Sequence, residues 1–332
     1  MSAPPITVIG AGSWGTALAI QFARAGRPTI LWGRAEDEPE RLAHERCNSR
    51  YLPGADFPEA LSIEADLARA VDASPDLLLV VPSSALRSVL QQLKPLLKPG
   101  ARVAWATKGF ELSTGKLPHQ VATEVLGGDL PLAVLSGPTF ASEVGKGLPT
   151  AIACASPDPD FALELAQSIS TPHLRAYTQS DIIGVEVGGA VKNVIAIAAG
   201  AADGMGFGAN ARVFLITRGL AEMVRLGLAL GAQRDTFMGL TGLGDLVLTC
   251  TDDQSRNRRF GKAVASGRKV EEAIRDIGQV VEGYHAARAV RQVATRLEVD
   301  MPICEQVYRV THEGLDIAEV VDLLMSRAVS AE

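Results

Sequence analysis

Apolar and polar positions in the first 180 residues keep changing rhythm. Short apolar, β-forming runs recur at Thr7–Ile9, Pro28–Trp32, Asp76–Pro82, Val103–Thr107, Leu132–Ser136, Thr150–Ala155 and Leu174–Thr178. A run apolar at every position, such as Leu77–Val81, predicts a central parallel strand covered on both faces. Helical spacing fills the gaps. One helix follows Gly15, runs to Ala25 and stops at Gly26, a good C-terminal breaker. A short polar helix spans 40–46, another starts at Ala141, and a third is opened by Ser156-Pro-Asp-Pro159. Residues 48–54 read as a loop. Such alternation predicts a mostly parallel, doubly wound α/β sheet.

From Asp181 the pattern is helical nearly throughout. Residues 182–202 form a long helix of small residues, with Gly184, Gly188 and Lys192 on one face. Glycines weaken a helix by about 1 kcal/mol each against alanine, so this one is built for close approach. A second long helix covers 209–230 and further helices follow Val280–Tyr284. The expected organisation is two domains, 1–180 and 181–332.

Composition narrows the partners. The 332-residue chain is 47% hydrophobic and 21% charged, with a net charge of −6, which suits a two-domain globular protein. It has no basic tract, so nucleic acid is not an expected partner. No uninterrupted apolar run reaches the roughly 18 residues of a membrane span. Residues 1–5 lack the basic start of a signal peptide. The four cysteines, Cys47, Cys154, Cys250 and Cys304, are scattered without metal or disulfide spacing. No histidine pair has metal spacing, so no metal is expected. A cytoplasmic location is expected, with His285 and Cys304 as packing residues.

The chemistry starts at the first strand. Gly10, Gly12 and Gly15 follow it in G-x-G-x-x-G spacing and open a helix, the context that dinucleotide binding requires. Gly10 turns the chain, Gly12 lets a pyrophosphate approach, Gly15 packs helix on strand, and the Ser13 and Trp14 N–H groups face the phosphates. Where an acid usually grips the adenosine ribose, this chain has Gly33-Arg34. A cation there accommodates a 2′-phosphate; the alternative gives the ribose to Glu36 or Asp37. Ser83 and Lys108 fall at strand ends, where ligands bind in such sheets. Gly137-Pro138 presents Thr139 rigidly. In the second half Lys192 sits amid apolar residues, where desolvation would favour proton transfer; a snorkelling lysine is the alternative. Asp245 is either a turn residue or a carboxylate beside that amine. Ser255-Arg256-Asn257-Arg258-Arg259 is a dense basic cluster suited to clamping an anion. Glu282 reads as either a capping acid or a contact to a cofactor hydroxyl.

These stretches come in a telling order: Gly10–Gly15, Thr107–Gly109, Ser136–Thr139, Gly188–Val194, Leu240–Asp245, Ser255–Gly261 and Val280–Tyr284. The series resembles the soluble NAD(P)-dependent glycerol-3-phosphate dehydrogenases of bacteria, over nearly the whole chain. The resemblance implies an N-terminal Rossmann-type sheet domain and an all-α C-terminal domain like that of 6-phosphogluconate dehydrogenase. It implies hydride transfer between NADPH or NADH and dihydroxyacetone phosphate, giving sn-glycerol 3-phosphate for phospholipid synthesis, by a homodimer. Lys192 would then be the proton donor and acceptor, positioned by Asp245, with Lys108 and Asn193 orienting or polarising the substrate. Gly137, Thr139, Ser255, Arg256 and Asn257 would hold the substrate. Ser13, Trp14, Arg34, Lys108, Ala141, Arg256, Val280 and Glu282 would contact the cofactor. The alternative is a β-hydroxyacid dehydrogenase, which also pairs sheet and helical domains and uses a lysine, but grips a carboxylate without an arginine like Arg256.

Overall fold

The computed structural model describes residues 4–326. The chain divides into two compact units. One runs to Lys108 and resumes over Lys116–Glu186; the other takes Gly109–Gly115 and the chain from Val187 onward.

The first unit is built on an eight-stranded sheet. Its strands are β1 (Ile6–Ile9), β2 (Thr29–Trp32), β5 (Leu61–Glu64), β6 (Asp76–Leu79), β7 (Arg102–Trp105), β8 (Leu132–Ser136), β9 (Thr150–Ala155) and β10 (Leu174–Gln179). Two short strands, β3 (Cys47–Asn48) and β4 (Leu52–Asp56), form a separate antiparallel ladder where the sequence suggested only a loop. The sheet order is β10-β9-β8-β7-β6-β1-β2-β5. All neighbours are parallel except β8 and β9. Successive side chains of a strand face opposite sides, which splits the core in two. Val8, Leu78 and Ala104 join one apolar cluster, and Ile9, Leu77, Leu79, Val103 and Trp105 the other. Both faces are therefore dry, and β1 and β6 are buried at every position. The sequence reading missed β5, which alternates polar and apolar residues at the sheet edge.

Helices α1 (Ser13–Arg24), α2 (Pro39–Glu45), α3 (Leu67–Asp72), α4 (Ser83–Leu93), α5 (Pro118–Leu126), α6 (Ala141–Lys146) and α7 (Pro159–Ile169) connect the strands. Helix α1 leaves β1 through Gly10, whose φ is +122°. A Cβ there would lie 2.5 Å from the carbonyl oxygen of Val80, so no other residue fits without moving β6. At the opposite end of the sheet, buried Asp76 accepts hydrogen bonds from both Arg27 and Arg102.

Helix α8 (Ile182–Gly204) begins against the sheet. Ile182 and Val185 belong to its core, and the buried Glu186 carboxylate accepts from Trp105 Nε1 (3.0 Å) and the His119 backbone N–H (2.8 Å). The first turn of α8, given by the sequence reading to the second domain, thus packs in the sheet unit. Helix α8 is also long and apolar enough to cross a membrane, though no uninterrupted apolar run is; 89% of its most apolar window is buried inside the protein.

The second unit contains the rest of α8 with α9 (Ala209–Ala229), α10 (Asp245–Thr251), α11 (Arg256–Ala265), α12 (Val270–Ile277), α13 (Glu282–Arg296), α14 (Pro302–Tyr308) and α15 (Ile317–Met325). Its small residues let backbones touch. A Cβ on Gly200 would lie 2.0 Å from the Arg258 carbonyl oxygen, and one on Gly261 2.0 Å from that of Ile197. Helices α8 and α11 therefore meet without intervening side chains. His285, expected in the packing, is exposed on α13, with its ring edge-on to Tyr284. Cys304 is buried, and no disulfide links the cysteines.

Glu222 on α9 is 1% exposed and caps α14, accepting from the N–H groups of Ile303 (2.6 Å) and Cys304 (3.1 Å). Burial pushes its carboxyl up from 4.5 to about 7. Between those values the folded protein holds a proton that the unfolded chain has lost, so this group makes stability fall as pH rises. Glu222→Gln should flatten that part of the profile by about 3 kcal/mol at most, read as urea midpoints from pH 5 to 8 for both proteins.

Candidate active site

The sheet unit gathers its candidate residues at the carboxyl ends of neighbouring parallel strands. Gly10 follows β1, Lys108 follows β7, and Gly137 follows β8. Ser83 opens α4 beyond β6. The N-terminus of α1 has no side-chain cap. The Ser13 hydroxyl donates to the Tyr51 carbonyl instead (2.6 Å). The first N–H groups of a helix lack intrahelical partners, so this end is suited to an anion. Space is available as well, because nothing lies within 4 Å of where a Gly12 Cβ would be. Trp14 packs its indole against the sheet core, and its buried Nε1 has no hydrogen-bond partner among the described residues. An uncapped helix end and an open approach together fit a dinucleotide pyrophosphate.

Buried Asn48 holds this turn in place, donating to the Ala11 carbonyl and to Thr16 Oγ1, both at 2.9 Å. The sequence reading took this segment as a loop and did not single out Asn48; a lone asparagine in a polar stretch carries no distinguishing signal. Arg34 follows β2 with its side chain 65% exposed. Asp37, the alternative ribose ligand, is instead buried and accepts the Arg34 backbone N–H at 2.9 Å. Thr139, between β8 and α6, and Ala141, the first residue of α6, are half-buried, and the Thr139 hydroxyl donates back to the Gly137 carbonyl at 3.3 Å. Lys108 is half-buried.

The helical unit builds its own constellation. Lys192, 6% exposed in the middle of α8, donates to Asp245 Oδ1 at 2.5 Å and to Thr249 Oγ1 at 3.0 Å. Asp245 is 1% exposed and is the first residue of α10. A single π-turn, Leu240–Gly244, delivers it there. That turn lies directly on α8: a Cβ at Gly188 would sit 2.3 Å from the Thr241 carbonyl oxygen. Gly188, one turn before Lys192, thus lets the carboxylate reach the amine. The snorkelling alternative for Lys192 does not describe this geometry. Thr249 was missed, yet its place four residues after Asp245 puts both on one helix face.

Asn193 faces another direction. Its amide donates to the Gly189 carbonyl (3.3 Å) and to Glu282 Oε2 (3.2 Å), and its oxygen accepts from Asn257 Nδ2 (2.9 Å). Asn257 Oδ1 in turn accepts the Gly283 N–H at 2.8 Å. Exposed Val280 leads into Glu282, the first residue of α13.

The basic cluster is not the clamp of three arginines that its composition suggested. Ser255 is the N-cap of α11, and its hydroxyl accepts the Arg258 N–H at 3.2 Å. Arg258 is buried and pairs with Asp203 (2.6 Å) and Asp253, because α11 turns that face toward α8. Arg259 is exposed. Half-buried Arg256 remains at the helix N-terminus, 3.3 Å from Gln279 Oε1. Ser255 and Asn257 make these contacts within the protein, and an anion here would also meet the Arg256 guanidinium and the first turn of α11.

Comparisons with known proteins cover both units. Residues 5–162 match the family described as NAD-dependent glycerol-3-phosphate dehydrogenase N-terminus, and residues 181–322 match the corresponding C-terminus. The chain is 57% identical over 323 residues to glycerol-3-phosphate dehydrogenase [NAD(P)+] of Aeromonas salmonicida, covering 97% of each chain. It is 56% identical to that of Idiomarina loihiensis, covering 100% of both. The crystal structure of glycerol-3-phosphate dehydrogenase from Coxiella burnetii superposes with a TM-score of 0.94 at 45% identity, over 98% of this chain and 99% of that one. A ketopantoate reductase from Ralstonia eutropha shares only the fold, with a TM-score of 0.60 at 17% identity, over 97% of this chain and 99% of that one. With both halves matched and relatives of this similarity along its full length, the chain belongs to the NAD-dependent glycerol-3-phosphate dehydrogenase family.

Proposed function

We propose that this protein interconverts dihydroxyacetone phosphate and sn-glycerol 3-phosphate using NADPH or NADH. The observation that carries this reading is the buried Lys192–Asp245 pair in the helical unit of a chain matched to the family in both halves. A nicotinamide, when bound, would supply or accept the hydride at C2 of the substrate. Reduction of the ketone builds negative charge on its oxygen, which needs a proton. Lys192 Nζ gives that proton, and in the oxidative direction takes it back. Asp245 and Thr249 hold the amine in one orientation, so the proton is delivered without reorganisation. Lys108 polarises the substrate oxygen. Arg256 and the first turn of α11 hold the phosphate, so that binding energy away from the reacting carbon orients the carbonyl. Asn193 keeps Glu282 and Asn257 in place. Gly137 and Thr139 line the substrate's approach, while Ser13, Trp14, Arg34, Ala141, Val280 and Glu282 hold the cofactor.

The resemblance also supports a cytoplasmic homodimer supplying glycerophospholipid synthesis. Exposed Val213 and Phe214 on α9, with Phe207 just before it, give the helical unit an apolar patch suited to self-association. Sedimentation should give twice the 35.0 kDa chain mass, and Phe214→Glu should return it to one chain.

Three measurements test the chemistry. Dihydroxyacetone phosphate should be reduced with either cofactor, whereas 3-hydroxy acids should not be oxidised; the reverse would favour a β-hydroxyacid dehydrogenase. Lys192→Met should lower kcat by about 100-fold or more while NADPH still binds, as followed by its fluorescence. Turnover at the wild-type rate would remove Lys192 from its role. Arg256→Ala should raise KM for dihydroxyacetone phosphate by at least about tenfold, and an unchanged KM would mean that the phosphate is held elsewhere.

A further inference from the structure

A second guanidinium reaches the turn that follows Arg34. Exposed Arg50 donates from Nη1 to the Glu36 carbonyl at 2.8 Å, and its guanidinium lies 4.8 Å from the centre of the Tyr51 ring. Arg34 Nε lies 3.8 Å from the Glu36 carboxylate. Both arginines therefore flank one residue of the short 3-10 turn Ala35–Asp37. Arg50 also sits between two anchors to the glycine turn. The buried Asn48 amide holds the Ala11 carbonyl, and the Tyr51 carbonyl takes the Ser13 hydroxyl. The segment that carries Arg50 is thus fastened to the loop that would hold the pyrophosphate.

The acid expected at this place cannot be supplied by the strand end. A Cβ on Gly33 would lie 2.9 Å from Ala11 Cβ and 3.2 Å from Asp37 Cβ, so a longer side chain has no room. Asp37 itself is 7% exposed, tied to the Arg34 N–H and 3.5 Å from Arg34 Nε. Its charge is spent on the turn and on keeping Arg34 in place. Glu36, 72% exposed, is the opposing charge at the surface.

We propose that Arg50 is a specificity-determining residue which, with Arg34, grips a phosphate on the 2′-oxygen of the adenosine ribose. The inference rests on the cofactor reading above. Two guanidinium forks offer a phosphate several charge-assisted hydrogen bonds, while a ribose carrying free hydroxyls gains nothing from them. Stacking on Tyr51 holds the Arg50 fork partly in position before the ligand arrives.

The test uses calorimetry with adenosine 2′,5′-bisphosphate and adenosine 5′-monophosphate, which needs no turnover. Wild type should bind the bisphosphate more tightly. Arg50→Ala and Arg34→Ala should each weaken the bisphosphate by about tenfold and change the monophosphate by less than about twofold, with Arg50→Lys in between. The KM for NADPH should follow and that for NADH should not. Equal weakening of both probes by Arg50→Ala would make Arg50 a loop pin and overturn the proposal, as would no change in either. Wild type binding both probes equally would also overturn it. Loss of dihydroxyacetone phosphate reduction with intact probe discrimination would count against the catalytic reading alone.

Discussion

A lysine amine and a carboxylate, both removed from water, are the contact on which the helical half turns. Separating either charge from its partner in such surroundings costs about 3–5 kcal/mol, so the pair holds only if both backbones stay put. The structure answers this with glycine. Gly188 brings the Leu240–Gly244 turn onto α8, and Gly200 with Gly261 brings α11 onto it further along. The glycines that weaken α8 as a helix are what allow its neighbours to approach. The apolar character of α8 has the same cause, since a helix wrapped on nearly all sides must be apolar nearly all round.

The sheet half solves a different problem. It must present polar backbone groups without satisfying them internally. Helix α1 starts at an uncapped glycine, and the hydroxyl of its first residue is drawn off to Tyr51. Asn48 and Tyr51 then brace the turn from the side, and the β3–β4 ladder carries them. A segment that looks like a plain loop in the sequence is the support of the glycine turn.

Several polar side chains of ligand-binding type also hold the fold. Asp37, Ser255, Asn257 and Arg258 all look like ligand groups by composition. In the fold, Asp37 pins a turn, Ser255 caps α11, Asn257 holds Asn193 and Gly283, and Arg258 pairs with acids. Residue type alone cannot separate these uses, because the same hydrogen-bonding groups serve both.

The sequence by itself determined the elements whose signal is local. Fully apolar runs flanked by turn residues marked the buried strands, and the spacing of Gly10, Gly12 and Gly15 after such a run marked the tight turn from β1 into α1. The small-residue face of α8 marked a helix meant for close packing and put Lys192 at its centre. Only the tertiary structure decided between Asp245 as a turn residue and Asp245 as the partner of that lysine, which arginine of the basic cluster turned inward, and which strands sat at the edge. Those outcomes depend on contacts between residues far apart in the chain: Lys192 with Asp245 and Thr249, Asn193 with Glu282, Arg258 with Asp203. A one-dimensional pattern records the period of each element and its ends. It does not record which faces of two distant elements will touch, and the direction of a polar side chain is set by that touching.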